Sequence, residues 1–85
     1  MVILAAFFLN VSRIEFFVLL ITIGAVLAVE ALNTAIEELC NHVTPEHHPQ
    51  IGKVKDLGSG ASLLIGVTAI IVVVLILLPY VTPLL

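Results

Sequence analysis

Three apolar stretches separated by polar breaks organise this chain. Met1 to Leu9 is apolar, and Asn10-Val11-Ser12 interrupts it. Ile14 to Val29 is apolar except for Glu15 and Thr22. Beyond Val29 the pattern turns amphipathic. Ala31, Ala35, Ile36 and Leu39 take one side of a helix, and Glu30, Asn33, Glu37 and Asn41 share an arc of about 80° on the other. A polar connection follows from Val43 to Val54. Leu57 to Leu78 is then almost purely apolar, with Pro79 and Pro83 beyond it. The pattern predicts a helix over 13–42 with Ser12 as its N-cap. Thr44-Pro45 and His48-Pro49 should stop that helix and order a loop over 43–54. A last helix is expected over 55–78, ended by Pro79.

A bilayer crossing needs about 20 residues, so Met1 to Leu9 falls short and the other two stretches suffice. At 1.5 Å per residue the 13–42 helix would be about 45 Å long. It would cross the hydrocarbon and project one or two turns beyond, leaving Glu30 near the boundary. The expected fold class is all-α, an integral membrane helical bundle. One membrane domain covers 1–85, with 1–9 as a residual first span.

Composition supports this. The chain has 85 residues, 61% of them hydrophobic, and a mean hydropathy of +1.29. Soluble domains run about 45–50% apolar, well below this chain. A net charge of −3 with only three Lys and Arg argues against a nucleic-acid partner. Lys53 and Lys55 against Arg13 place the 41–56 loop on the cytoplasmic side of the membrane. The lone Cys40 excludes an intrachain disulfide and reads as a small packing residue. So short a chain cannot enclose a large cleft and would oligomerise to build one.

The candidate chemistry lies on the polar stripe. A carboxylate at the end of an apolar run is costly in hydrocarbon and marks a functional site. Of two carboxylates one or two turns apart, one can hold Mg²⁺, a hard ion that prefers oxygen. The other can take a proton from a hydroxyl nucleophile. Asn33 can orient either. A bland alternative has Glu30 and Asn33 bonding across helices, with Glu37 and Glu38 simply solvated. Lys55 can bind phosphate, while Asp56 complements the dipole of a helix starting beside it. Gly58-Ser59-Gly60 lacks the GxxxxGK[ST] pattern of a phosphate loop. Gly58, Ser62 and Gly66, spaced by four, form a small-residue face for close helix packing, and Gly24 and Ala28 offer another. His42, His47 and His48 make a poor zinc motif without a suitably spaced cysteine.

The stretch Glu30-Ala31-Leu32-Asn33-Thr34-Ala35-Ile36-Glu37 resembles the signature of the prokaryotic diacylglycerol kinase family, E-x-x-N-[ST]-[AS]-[IV]-E. Glu46-His47-His48 resembles the acidic-histidine loop that follows in the family. Lys55-Asp56-Leu57-Gly58-Ser59-Gly60-Ala61 resembles its Lys-Asp pair before a small-residue helix. The resemblance covers about residues 10 to 80.

It implies transfer of the ATP γ-phosphoryl group to diacylglycerol, with Mg²⁺, at the cytoplasmic face of a bacterial inner membrane. Undecaprenol is the alternative acceptor. Glu30 becomes the candidate general base and Glu37 the candidate Mg²⁺ ligand. Asn33, Asn41, Glu46, His48, Lys55 and Asp56 become the candidate substrate and ATP contacts. The resemblance also implies a homotrimer with sites shared between protomers. Two departures stand out. Asn41 replaces the family's usual aspartate. The family's amphipathic helix and complete first span, with another metal-binding glutamate, have only Met1 to Leu9 as counterpart. Glu15 cannot substitute, lying about 22 Å along the helix from Glu30. The chain is therefore expected to be N-terminally shortened relative to the three-span fold. A non-catalytic helical hairpin or inactive fragment is the competing class, and it would not require Glu30, Asn33, Glu37 and Lys55 together.

Overall fold

A computed structural model describes residues 1–43 and 48–85. The described residues form three α-helices and a closing 3₁₀ turn: α1 over Val2–Leu9, α2 over Arg13–Val43, α3 over Pro49–Val81, and the turn over Thr82–Leu84. The molecule is all-α and elongated, 54 × 18 × 17 Å. α2 and α3 are each long and apolar enough to cross a membrane. Their outer faces stay apolar and exposed, as at Ile21 and Leu64, both 72% accessible. Such a surface suits lipid rather than water.

Local chemistry sets each helix end. Asn10 closes α1 in the left-handed conformation, φ 60° and ψ 44°. The Asn10 N–H donates to the Phe7 carbonyl and the Val11 N–H to the Ala6 carbonyl, both at 3.3 Å. These two bonds make a Schellman stop, for which Asn is suited because it tolerates positive φ. Ser12 then caps α2, as its sequence position predicts. The Glu15 N–H donates to Ser12 Oγ at 3.1 Å, and the Ser12 N–H donates to a Glu15 carboxylate oxygen at 3.0 Å. This is a reciprocal capping box, which the Ser-x-x-Glu spacing could have announced. Glu15 also accepts a hydrogen bond from the Tyr80 hydroxyl near the end of α3. The pair is thus tied at that end. Ser12→Ala should cost about 1 kcal/mol in detergent unfolding, and an unchanged midpoint would show that the cap is idle.

The second connection differs from its sequence expectation. α3 begins at Pro49, not at Lys55, so the loop expected over 43–54 is shorter. His48 takes the extended conformation, φ −125° and ψ 128°, and its Nδ1 accepts from the Gln50 N–H at 3.2 Å. Proline at the first helical position has no N–H to leave unpaired and a φ already set for helix. His48-Pro49 therefore starts a helix where it was expected to order a loop. Thr44-Pro45, also expected to stop α2, lies outside the described residues. At the far end Pro79 sits inside α3, which runs on to Val81. Proline forfeits one backbone bond there but does not end the helix.

α2 and α3 pack along a seven-residue repeat. On α2, Leu19, Val26, Asn33 and Cys40 recur at that interval, buried or half-buried. On α3, Ile51, Gly58, Ile65 and Val72 do the same, with Lys55, Ser62 and Ala69 between them. A 3–4 spacing of this kind keeps one seam facing the partner helix. Cys40 is 5% accessible, a packing residue as expected. The proposed small-residue face is only partly used. Gly58 is buried, but a Cβ on Gly66 or Gly24 would meet nothing within 4 Å. A strict four-residue row drifts off a seam with a seven-residue repeat, so contact passes from Ser62 to Ile65 and Ala69.

Candidate functional site

The polar ends of α2 and α3 lie together because the two helices run antiparallel from one short connection. At 1.5 Å per residue, α2 and α3 are each roughly 45–50 Å long, well over the ~30 Å hydrocarbon core. Their excess carries Glu37 and Asn41 on one helix and Lys53, Lys55 and Asp56 on the other.

Two contacts across the seam organise this end. Lys55 Nζ donates to Asn41 Oδ1 at 2.7 Å. One step deeper, Asn33 packs against Gly58. A Cβ added to Gly58 would lie 2.5 Å from Asn33 Oδ1, 3.6 Å from its Cγ and 3.8 Å from Ile36 Cδ1. The hydrogen at Gly58 thus makes the room that the Asn33 amide fills. Asn33 Oδ1 is buried there without a hydrogen-bond partner.

Glu30 and Glu37 are exposed on the same flank of α2. They stand about 10 Å apart along the axis, with Asn33 between them. Among the described residues no three His, Cys, Asp or Glu side chains converge on a common metal position. That does not count against Mg²⁺, which keeps several waters and is usually held by one or two carboxylates plus substrate phosphates. The exposed Glu37 carboxylate is an oxygen donor of the kind such an ion takes, with substrate phosphates and water completing its shell.

The remaining candidates divide. His48 is exposed and caps α3 through Nδ1. Asp56 is exposed in the third turn of α3. Because the helix starts at Pro49, Asp56 lies beyond the first turn, where the dipole acts, so its expected dipole role is lost. Glu46 and His47 lie outside the described residues. An apolar groove of about 320 Å³ is lined by Val2, Thr22, Val26, Ala69, Val73 and their neighbours. It lies further along the seam and contains none of the candidate residues.

The sequence description of prokaryotic diacylglycerol kinase matches residues 1–77. This chain belongs to the prokaryotic diacylglycerol kinase family. An undecaprenol kinase of Bacillus subtilis is 36% identical over 78 residues, covering 92% of this chain and 63% of the relative. A diacylglycerol kinase of Escherichia coli K12 is 36% identical over 66 residues, covering 78% of this chain and 54% of the relative. A diacylglycerol kinase of Haemophilus influenzae is 34% identical over 55 residues, covering 65% of this chain and 47% of the relative. The chain thus spans about half to three-fifths of the length of the curated relatives it matches. No solved structure matches it. The family assignment agrees with the all-α membrane architecture and with the signature from Glu30 to Glu37.

Proposed function

We propose that this protein is a lipid kinase that moves the ATP γ-phosphoryl group to the hydroxyl of diacylglycerol. The observation that carries the reading is one polar end of the helix pair. It holds two exposed carboxylates, the half-buried Asn33 and the Lys55–Asn41 contact at the end of otherwise apolar helices. Phosphoryl transfer asks chiefly for positioning and charge neutralisation, so a sparse set of this kind is sufficient.

Glu30 stands where α2 leaves its apolar run, which is where a lipid hydroxyl would reach the polar layer. Its carboxylate takes the hydroxyl proton as that oxygen attacks the γ-phosphorus and ADP departs. Glu37 would hold Mg²⁺ against the phosphates, with Asn33 supporting the metal–phosphate geometry from beside it, and the ion would supply neutralising charge to the transferring group. The Lys55 ammonium adds charge on the facing helix. Asn41 holds that ammonium in place, and Asp56, His48 and Glu46 are the further nucleotide contacts. The site faces the cytoplasm of a bacterial inner membrane, and a homotrimer supplies its missing walls from neighbouring protomers.

Undecaprenol is the second acceptor, favoured by one observation: the B. subtilis relative of that name matches 92% of this chain. Purified protein in liposomes, given labelled Mg-ATP, should place label in the lipid fraction. Label confined to inorganic phosphate would make the protein a hydrolase and end the proposal. Asn41→Asp turns a neutral acceptor for Lys55 into a charged one, and charge-assisted bonds are roughly twice as strong. It should lower the KM for Mg-ATP several-fold, on the order of 1 kcal/mol of added interaction. An unchanged KM would show that Asn41 and Lys55 stand apart from nucleotide.

A further inference from the structure

We propose that Ser62 is a positioning residue for Asn33, its hydroxyl donating to Asn33 Oδ1 and fixing the amide in the site. The catalytic half of this proposal rests on the lipid-kinase reading, whereas the pairing does not.

The first observation is a contrast among hydroxyls. Thr22, Thr68 and Thr82 each donate to the carbonyl one helical turn back, at 2.7, 2.8 and 3.1 Å. Such back-bonding is the default satisfaction for a hydroxyl inside an apolar helix. Ser62 departs from it: its Oγ is buried with no hydrogen-bond partner. Asn33 Oδ1 is in the same condition.

The second observation is register. Glu15 and Tyr80 are bonded across the helix pair. Eighteen residues onward from Glu15 along α2 is Asn33, and eighteen residues back from Tyr80 along α3 is Ser62. The two therefore fall within about one turn of each other along an antiparallel seam. Gly58, one turn from Ser62 on the same face, is the residue that Asn33 Oδ1 overlies.

The chemistry is complementary. An amide oxygen only accepts, and a serine hydroxyl can donate to it once the Ser62 side chain turns toward α2 by a change of χ1 rotamer. Pairing the two satisfies both buried atoms, and leaving both unpaired is disfavoured. It also fixes which way the amide points. With the oxygen held by Ser62, the Asn33 NH₂ is directed away from α3, available to donate to a phosphate oxygen.

The test compares wild type, Ser62→Ala and Ser62→Thr in detergent micelles with ¹⁵N-labelled asparagine. The Asn33 side-chain amide resonance should move in Ser62→Ala and return toward its wild-type position in Ser62→Thr. In liposomes, kcat for phosphoryl transfer should fall roughly tenfold in Ser62→Ala and recover in Ser62→Thr, with KM for Mg-ATP nearly constant. An Asn33 resonance identical in wild type and Ser62→Ala overturns the pairing. A moved resonance with unchanged kcat overturns the positioning role. A moved resonance in a wild-type protein that transfers no phosphate supports the pairing and overturns the lipid-kinase reading instead. Should Ser62→Ala fail to fold, Ser62→Cys keeps the size, weakens the donor and gives the same comparison.

Discussion

Glu30→Gln should reduce phosphoryl transfer by about 10²- to 10⁴-fold, the usual contribution of a general base. Glutamine keeps the shape and hydrogen-bonding reach of glutamate but cannot accept the hydroxyl proton. Glu30 is exposed and lies outside the packed seam. Its replacement should therefore leave the unfolding midpoint within about 0.5 kcal/mol of wild type. Loss of rate without loss of fold is the signature to look for. Glu38 lies on the same helix and is equally exposed, but it falls off the stripe. Glu38→Gln should retain wild-type rates. Equal rates in wild type and Glu30→Gln would remove Glu30 from the chemistry.

Gly58→Ala should be the most damaging single-carbon addition in the chain. The new Cβ would lie 2.5 Å from Asn33 Oδ1, closer than carbon and oxygen can approach. Either Asn33 turns out of place or α3 moves away from α2. A displacement near 1 Å at a positioning residue can cost roughly 100-fold in rate, and overpacking a tight contact typically costs about 1–3 kcal/mol of stability. Gly66→Ala is the contrast. A Cβ there meets nothing within 4 Å in this chain. Alanine also favours helix over glycine by about 0.5–1 kcal/mol, so that variant should be at least as stable as wild type. Unfolding midpoints and transfer rates measured side by side check both. A Gly58→Ala protein with normal rate and stability would show that Asn33 does not depend on this contact.

Much of the fold was legible because the bilayer imposes coarse rules. Long apolar runs have to be helices, and polar residues within them are conspicuous. The Glu30–Asn41 stripe was visible for that reason. The seam between α2 and α3 was not. α3 is apolar on its lipid face as well as its packed face, so hydrophobic periodicity carries little information about which side meets α2. Small residues were a better guide, and they singled out Gly58 and Ser62 correctly while misplacing Gly66. The start of α3 was missed because His48-Pro49 carries two opposite meanings: proline ends a helix that precedes it and begins one that follows. The cap from Ser12 was legible from its place in a polar break. The tie between Glu15 and Tyr80 was not, because it depends on the register of helices far apart in sequence. The Lys55–Asn41 contact has the same origin.

The most direct test of the lipid-kinase account is a competition between acceptors. Wild-type protein in liposomes containing equal amounts of diacylglycerol and undecaprenol is given labelled ATP with Mg²⁺, and the lipids are separated by thin-layer chromatography. The account predicts label in phosphatidic acid, dependent on Mg²⁺ and absent with Glu30→Gln. Label only in undecaprenyl phosphate would keep the kinase and change its acceptor. Label in neither lipid would contradict the central claim.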